Sequence, residues 1–362
     1  MTSVRERAAL SAGDLVAARK SAARGNERAV AAWLFTCCAL IFLVVIVGGI
    51  TRLTQSGLSI TDWDPIIGVL PPLSYAAWQT AFAQYKSIAQ YRLIHFGMTL
   101  GAFKTIFLWE YAHRLLARLA GLLYGLPFLY FLWHGRLPWR LVPPLAGILG
   151  LGFCQGLLGW YMVESGLAGR ADVSQYRLAA HLALALLIYA AILWVALGLV
   201  RAPAEGFDPG PSWRRAAEGV VALVALTITA GAFVAGLHAG LVYNSFPLMD
   251  GRLVPQSYAT LHPFARNWFE NVAAVQFDHR LLATAAVAAI LLLWTRGLRA
   301  ALPRPARNAL HLLLVAVLVQ AGLGISTLLL VVPVPLAVAH QAGAVVLLTA
   351  AILSRHALSR PA

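Results

Sequence analysis

The chain has 362 residues, of which 60% are hydrophobic and 12% charged, and its formal net charge is +14. So apolar a composition excludes a soluble domain with a polar surface. The excess of base does not point to nucleic acid either, because it falls in short stretches between long apolar runs, as the positive-inside rule expects of a protein whose partner is a lipid bilayer.

Residues 1–30 carry Arg5, Arg7, Lys20, Arg24 and Arg28 and read as a cytoplasmic tail. Glu6, Asp14 and Glu27 set them apart from an acid-poor transit peptide, and the first apolar run has no small-residue cleavage site after it. Crossing the hydrocarbon takes roughly 20 apolar residues. Runs near 31–51, 112–133, 138–161, 176–200, 216–237, 273–295, 307–331 and 334–355 predict eight membrane helices, an all-α polytopic fold.

Arg136 and Arg140 follow the second run, Arg201, Arg214 and Arg215 the fourth, Arg296, Arg299, Arg304 and Arg307 the sixth, and Arg355 and Arg360 the last. With eight helices all of these share one side, so both termini are expected in the cytoplasm. That places the protein as multi-pass in a bacterial cytoplasmic (inner) membrane, or in the mitochondrial inner membrane of a eukaryote. Residues 51–111 and 240–271 then face outward, and Trp63, Tyr75, Trp78, Tyr85, Tyr243, Phe246, Trp268 and Phe269 suit a headgroup layer. Within the first of these segments, 91–109 has helical periodicity through Leu93, Ile94, Met98, Ala102, Ile106 and Trp109, and is expected to lie along the interface as a lid. Cys37, Cys38 and Cys154 fall inside predicted helices, where no structural disulfide is expected.

The pentapeptide His-Arg-Leu-Leu-Ala occurs at 113–117 and again at 279–283. Gln155-Gly156-Leu157-Leu158-Gly159 is echoed by Gln320-Ala321-Gly322-Leu323-Gly324 at nearly the same offset. The chain therefore divides into four-helix halves, 31–200 and 216–355, joined by a Pro- and Gly-bearing linker at 201–215 and ending in a tail at 356–362. An even number of helices per half predicts two bundles related by a pseudo-two-fold axis along the membrane normal.

His113, His181, His279 and His340 stand near the starts of the second, fourth, sixth and eighth predicted helices, two per half and at one depth. Taken singly, each is as readily a hydrogen-bonded packing residue. As a repeated set they suit two haem sites, each with an imidazole on either side of a plane; zinc fits less well, because no Cys or acid completes a tetrahedron. His95, His134, His238, His262, His311 and His356 have no repeat partners and read as interfacial or solvated. Glu110 precedes His113 by three residues, whereas the equivalent residue before His279 is the neutral Gln276. Glu110 is either an interfacial partner of Arg114 at i,i+4 or a proton-handling carboxylate needed in one half only. Arg114, Arg280 and Arg177 suit haem propionates, or equally snorkel to the interface.

The motifs Gly48-Gly49-Ile50-Thr51-Arg52-Leu53-Thr54-Gln55-Ser56-Gly57-Leu58-Ser59, Phe103-Lys104, Glu110-Tyr111-Ala112-His113-Arg114, Asn244-Ser245-Phe246-Pro247-Leu248-Met249-Asp250-Gly251, Gln276-Phe277-Asp278-His279-Arg280 and Ala339-His340-Gln341-Ala342-Gly343 together resemble the haem A synthase family, in its mitochondrial and alphaproteobacterial branch. The resemblance implies an oxidoreductase that turns a ring methyl of haem O into the formyl group of haem A, by oxygen-dependent hydroxylations and loss of water. It implies that His113 and His181 flank haem O as substrate in the N-terminal half, that His279 and His340 ligate a resident haem b in the C-terminal half, and that Glu110 is the catalytic acid. Haem O synthase and the terminal oxidase assembly apparatus are the partners it implies. A cysteine pair in the first outer segment, found in the other branch, is absent, and His238 has no counterpart in the resemblance. The competing classes are a di-haem electron carrier of the cytochrome b kind and a repeat-built transporter, whose broken helices would meet near the midplane.

Overall fold

A computed structural model describes residues 12–62, 70–167, 169, 171–200 and 207–359. Arg5, Glu6, Arg7, Trp63, Arg201 and Arg360 lie outside the described residues, as do the side chains of Asp14, Lys20 and Arg24. In chain order the helices are α1 (Ala12–Leu53), α2 (Tyr75–Lys86), α3 (Ala89–Leu93), α4 (Leu100–Trp133), α5 (Val142–Leu167), α6 (Gln175–Val200), α7 (Pro211–Gly236), α8 (Asn267–Glu270), α9 (Val272–Leu298), α10 (Arg304–Leu329) and α11 (Val334–Ala357). Eight of these, all but α2, α3 and α8, are long and apolar enough to cross a membrane. The described residues contain no strand, only an isolated bridge between Met249 and Arg252.

Local chemistry sets the helix starts. The Thr99 hydroxyl accepts from Ala102 N at the head of α4, and Asn271 accepts from Ala273 N and Ala274 N at the head of α9. Proline occupies the first turn of α7, α10 and α11, where its missing N–H costs nothing.

One expected element is absent. Residues 91–109 do not form a separate interfacial helix: 100–109 are the outer three turns of α4, and only the short α2 and α3 precede them. Lys104 and Glu110 interrupt the apolar run there, so hydrophobicity starts the span too late, whereas backbone hydrogen bonding continues through them. His113 is consequently well inside its helix rather than near its start. His356 differs too. It lies buried in the last turn of α11 against Trp194 (centroids 5.3 Å apart), instead of in a solvated tail.

In the first half α1 packs on α4 and α6, and α5 on α4 and α6; in the second α7 packs on α9 and α11, and α10 on α9 and α11. Contacts of α6 with α7, α1 with α11 and α6 with α11 join the halves, a pattern that maps onto itself when the halves are exchanged. Leu34, Leu145, Ile192, Ile290, Leu310, Leu313 and Leu348 are among the fully buried residues of the shared apolar core. Leu122, Leu126, Phe153 and Leu292 are exposed on the outside, as a hydrocarbon solvent permits.

Pro127 sits inside α4 and cannot supply the N–H that Leu123 O would receive. Trp33 Nε1 of α1 donates to that carbonyl at 2.7 Å, with Cys37 Sγ at 3.8 Å, so a helix defect becomes an interhelical contact. Trp33→Phe should therefore cost about 1–2 kcal/mol, the price of a hydrogen bond to a poorly solvated carbonyl. A lower thermal midpoint in detergent, followed by circular dichroism, is the readout; an unchanged midpoint would mean that Cys37 suffices.

Candidate functional site

The four repeated histidines assemble in pairs. His113 on α4 lies within electrostatic reach of His181 on α6, and His279 on α9 within reach of His340 on α11. All four are partly buried inside membrane helices.

Each ring rests on a glycine of a neighbouring helix. A Cβ added at Gly48 of α1 would stand 2.9 Å from His113 Nε2, at Gly159 of α5 3.1 Å from His181 Cε1, at Gly231 of α7 3.0 Å from His279 Cε1, and at Gly324 of α10 2.8 Å from His340 Cε1. In an α-helix the carbonyl of residue i faces residue i+4, so a glycine there uncovers the oxygen's second lone pair. His279 uses this opening: its Nδ1 lies 3.1 Å from Thr227 O, four residues before Gly231. The ring of His340 likewise engages the carbonyl of Gln320, four before Gly324. Gln341 completes the set by donating to Val45 O at 2.6 Å, four before Gly49.

The repeated glutamines belong to the same cradles. Gln155 Nε2 donates to His181 O at 3.0 Å and lies 3.3 Å from His181 Nε2. Gln320 Nε2 donates to His340 O at 2.9 Å and lies 3.1 Å from His340 Nδ1.

Glu110 is 2% exposed and both its oxygens are engaged. Oε2 accepts from the Ser59 hydroxyl at 2.7 Å and from Ile60 N at 2.9 Å, while Oε1 accepts from Arg114 Nη2 at 2.7 Å. The pairing with Arg114 is thus real, but it is a buried clamp rather than an interfacial one. Arg114 also donates to Ile60 O at 3.0 Å, so the Glu110–Arg114 unit grips both backbone polar groups of Ile60. In the second half Gln276 Nε2 donates to Ala239 O and Val242 O at 2.9 and 2.6 Å, Arg280 Nη2 donates to Gln276 Oε1 at 3.2 Å and to Tyr243 O, and its Nη1 donates to Ser245 O. One architecture is built twice, once with a charge and once without.

Above the first pair, the extra turns of α4 carry Phe103 and Phe107 into a cluster with Trp78, Phe82 and Tyr85, in which Phe82 and Phe103 stack at 5.0 Å. The Tyr85 hydroxyl lies 2.5 Å from His95 Nδ1, which draws His95 into this cover. Burial pushes the Tyr85 hydroxyl well above its ordinary range. In the second outer segment, Asn244 Nδ2 bridges Gly240 O and Leu328 O, and Asn271 and Asn267 bind each other and the carbonyls of Ser257 and Leu261.

His238, which the sequence leaves without a role, lies 3.0 Å from Arg52 Nη2 and 3.1 Å from Asp172 Oδ2. Arg52 also donates to Ala235 O at 2.6 Å, so the group knots the end of α1 and the α5–α6 connection to the end of α7, across the halves. His311 is equally local, taking the Trp294 indole N–H at 2.9 Å.

Among the described residues, no three or more His, Cys, Asp or Glu side chains converge to cage an ion. Paired imidazoles suit instead a macrocycle that brings its own equatorial ligands. Arg280 Nε and Arg177 Nη1 are buried N–H groups without a hydrogen-bond partner, which suits the carboxylates such a macrocycle carries. These residues fit a haem. The sequence reading passed over the glycines, which carry no functional group, although Gly159 and Gly324 lie inside the repeat it had identified.

A family model described as cytochrome oxidase assembly protein (COX15-CtaA) matches residues 31–352. Proteins named heme A synthase are similar along most of their length. That of Nitrosomonas eutropha is 50% identical over 331 residues, 90% of this chain and 93% of the relative. That of Nitrosospira multiformis is 50% identical over 337 residues, 92% and 94%, and that of Rhodospirillum centenum 47% over 341 residues, 92% and 89%.

Proposed function

The chain belongs to the COX15-CtaA family of cytochrome oxidase assembly proteins, and from that membership we infer that it is a haem A synthase, a multi-pass membrane oxidoreductase that converts haem O into haem A. The observation that carries the reading to particular residues is the doubled histidine pair with a carboxylate in only one copy.

We assign haem O, as substrate, to the half formed by 31–200, between His113 and His181. A resident haem b belongs to the half formed by 216–355, between His279 and His340, and supplies one-electron chemistry there. The repeated contacts of the helices support reading these halves as two bundles about a pseudo-two-fold axis, joined by 201–215. Arg136, Arg214, Arg215, Arg296 and Arg355, near the ends of α4, α7, α9 and α11, support cytoplasmic termini, with 1–30 as one tail and the other following α11 rather than starting at His356.

Within the first half, Glu110 holds or moves a proton at its carboxylate oxygens beside His113. Ser59 and Ile60 fix its orientation and Arg114 balances its charge. The neutral Gln276 does the corresponding structural work without a titratable group, which supports chemistry in one half and retention in the other. Arg177 and Arg280 offer their unpartnered N–H groups to propionates, and the aromatic cluster over α4 limits water near Glu110. Haem O synthase and terminal oxidase assembly factors are the partners this role implies.

Expression with a supply of haem O, followed by extraction of the bound haems, tests the reading. Formyl haem is the expected product; recovery of unchanged haem alone would make the protein an electron carrier, and recovery of none would favour a transporter.

A further inference from the structure

The first bundle has one weak wall, between α4 and α5. Around that bundle α1 packs closely on α4 and α6, and α5 packs on α6, whereas α4 and α5 touch sparingly; in the second half the equivalent pair, α9 and α10, lies in close contact. The seam is closed at both ends. Near the histidines Arg114 of α4 and Trp160, Val163 and Glu164 of α5 line one cleft. At the other end Tyr124 Oη donates to Leu145 O at 2.9 Å, and a Cβ at Gly125 would stand 3.9 Å from Leu149 Cδ1. Because the halves join through α1, α6, α7 and α11, the seam lies away from the join and toward lipid.

Between those ends stand two glycines at one level. Gly121 follows His113 by eight residues and Gly152 precedes Gly159, on which His181 rests, by seven, so both lie roughly 10–12 Å beyond the histidine pair. Gly121 shares a face of α4 with Gly125 and the buried Phe128, and Gly152 shares a face of α5 with Leu145, Ile148 and Gly159. Both faces point inward, yet both glycines are exposed, and a Cβ at either would meet nothing within 4 Å.

The second half fills the same places. At the offsets that bring His113 onto His279 and Gln155 onto Gln320, Gly121 corresponds to Val287 and Gly152 to Val317. Val317 is 2% exposed and Val287 packs on the shared apolar core. Gln155 Oε1, one turn nearer the histidines than Gly152, is buried without a hydrogen-bond partner, and so is Gln320 Oε1 one turn from Val317, which marks both sites as kept for a ligand. They share that polar lip, and only the first is open beyond it.

We propose that the opening between α4 and α5 at Gly121 and Gly152 receives the isoprenoid tail of haem O, whereas Val287 and Val317 close the equivalent place around haem b, which has no such tail. The inference rests on the assignment of the substrate to the first half. Lipid chains are as apolar as leucine, so a seam open to the bilayer keeps the tail in apolar surroundings while the macrocycle sits between the histidines. A wall packed like that of α9 and α10 would have to part by the width of an alkyl chain, which close-packed helices resist.

The test uses the full-length protein carrying its haem b, and titrates the first site with haem O and, separately, with haem b as a macrocycle without the tail, following the Soret band. In Gly121→Val combined with Gly152→Val the preference of that site for haem O over haem b should fall about tenfold, the worth of roughly two methylenes no longer accommodated. Resident haem b per chain should be unchanged. Gly121→Ala with Gly152→Ala fills the seam only in part, should shift the preference the same way by less, and serves if the valine pair does not load haem b. An unchanged preference in the valine pair, or in the alanine pair where it stands in, would overturn the inference, as would equal weakening of haem O and haem b. His113→Ala separates this from the assignment of the halves. If it abolishes haem O binding while the glycine variants keep the preference, the assignment stands and the tail opening alone falls; if haem O still binds it at full affinity, the assignment falls and the opening with it.

Discussion

Glu110→Gln is expected to reduce formation of formyl haem by about 10²- to 10⁴-fold, the range for loss of a positioned proton-transfer group, while the protein still folds and still carries haem b. The fold supplies the precedent: Gln276 occupies the equivalent position beside Arg280 and is just as buried. A glutamine at 110 keeps an oxygen for the Ser59 hydroxyl or Ile60 N, and Arg114 keeps its bond to Ile60 O. Breaking a buried ion pair outright costs about 3–5 kcal/mol, because one charge is left alone. Here the second half shows how an arginine is satisfied by an amide and loop carbonyls, so the structural cost should be well below that. The readouts are haem composition by chromatography and haem b per chain by pyridine haemochrome. Unchanged conversion would remove the carboxylate from the chemistry. A parallel loss of haem b would make it a structural clamp only.

His279→Ala should empty the resident site. Loss of an outer partner of a metal ligand already costs about 10- to 100-fold in affinity, and loss of the ligand itself should cost at least about 100-fold. Haem b per chain should fall to background on purification. His113→Ala, by contrast, should leave haem b in place and abolish retention of haem O, because the two rings lie in different pairs on different helices. If His279→Ala retained its haem and His113→Ala lost it, the residence of haem b would have to move to the first half.

The apolar runs between basic stretches made all eight membrane helices legible, because a bilayer demands about 20 apolar residues wherever a helix crosses it. The histidine pairs were legible too, through the repeat of His113 and His279 and the depth of His181 and His340. The outer turns of α4 were not: Lys104 and Glu110 end an apolar run without ending a helix. The role of His238 was hidden because its partners, Arg52 and Asp172, are 186 and 66 residues away. Trp33 and Pro127 look unrelated along the chain, and only the packing of α1 on α4 brings an indole N–H to the bare carbonyl at Leu123. The difference between Glu110 and Gln276 was visible from the start, but not that each closes a clamp on the outer loop, since the groups gripped are, apart from the Ser59 hydroxyl, backbone atoms.

Gly48, Gly159, Gly231 and Gly324 give each of the four paired histidine rings a wall of bare backbone at its back. Such a wall acts as an anvil. Helix main chain, tied by its own hydrogen bonds, yields far less than a side chain that can change rotamer, so a ring pressed against it has only one direction in which to give. The two imidazoles of a pair are therefore stiff behind and compliant in front, and tolerance for macrocycles with different substituents is confined to the gap between them.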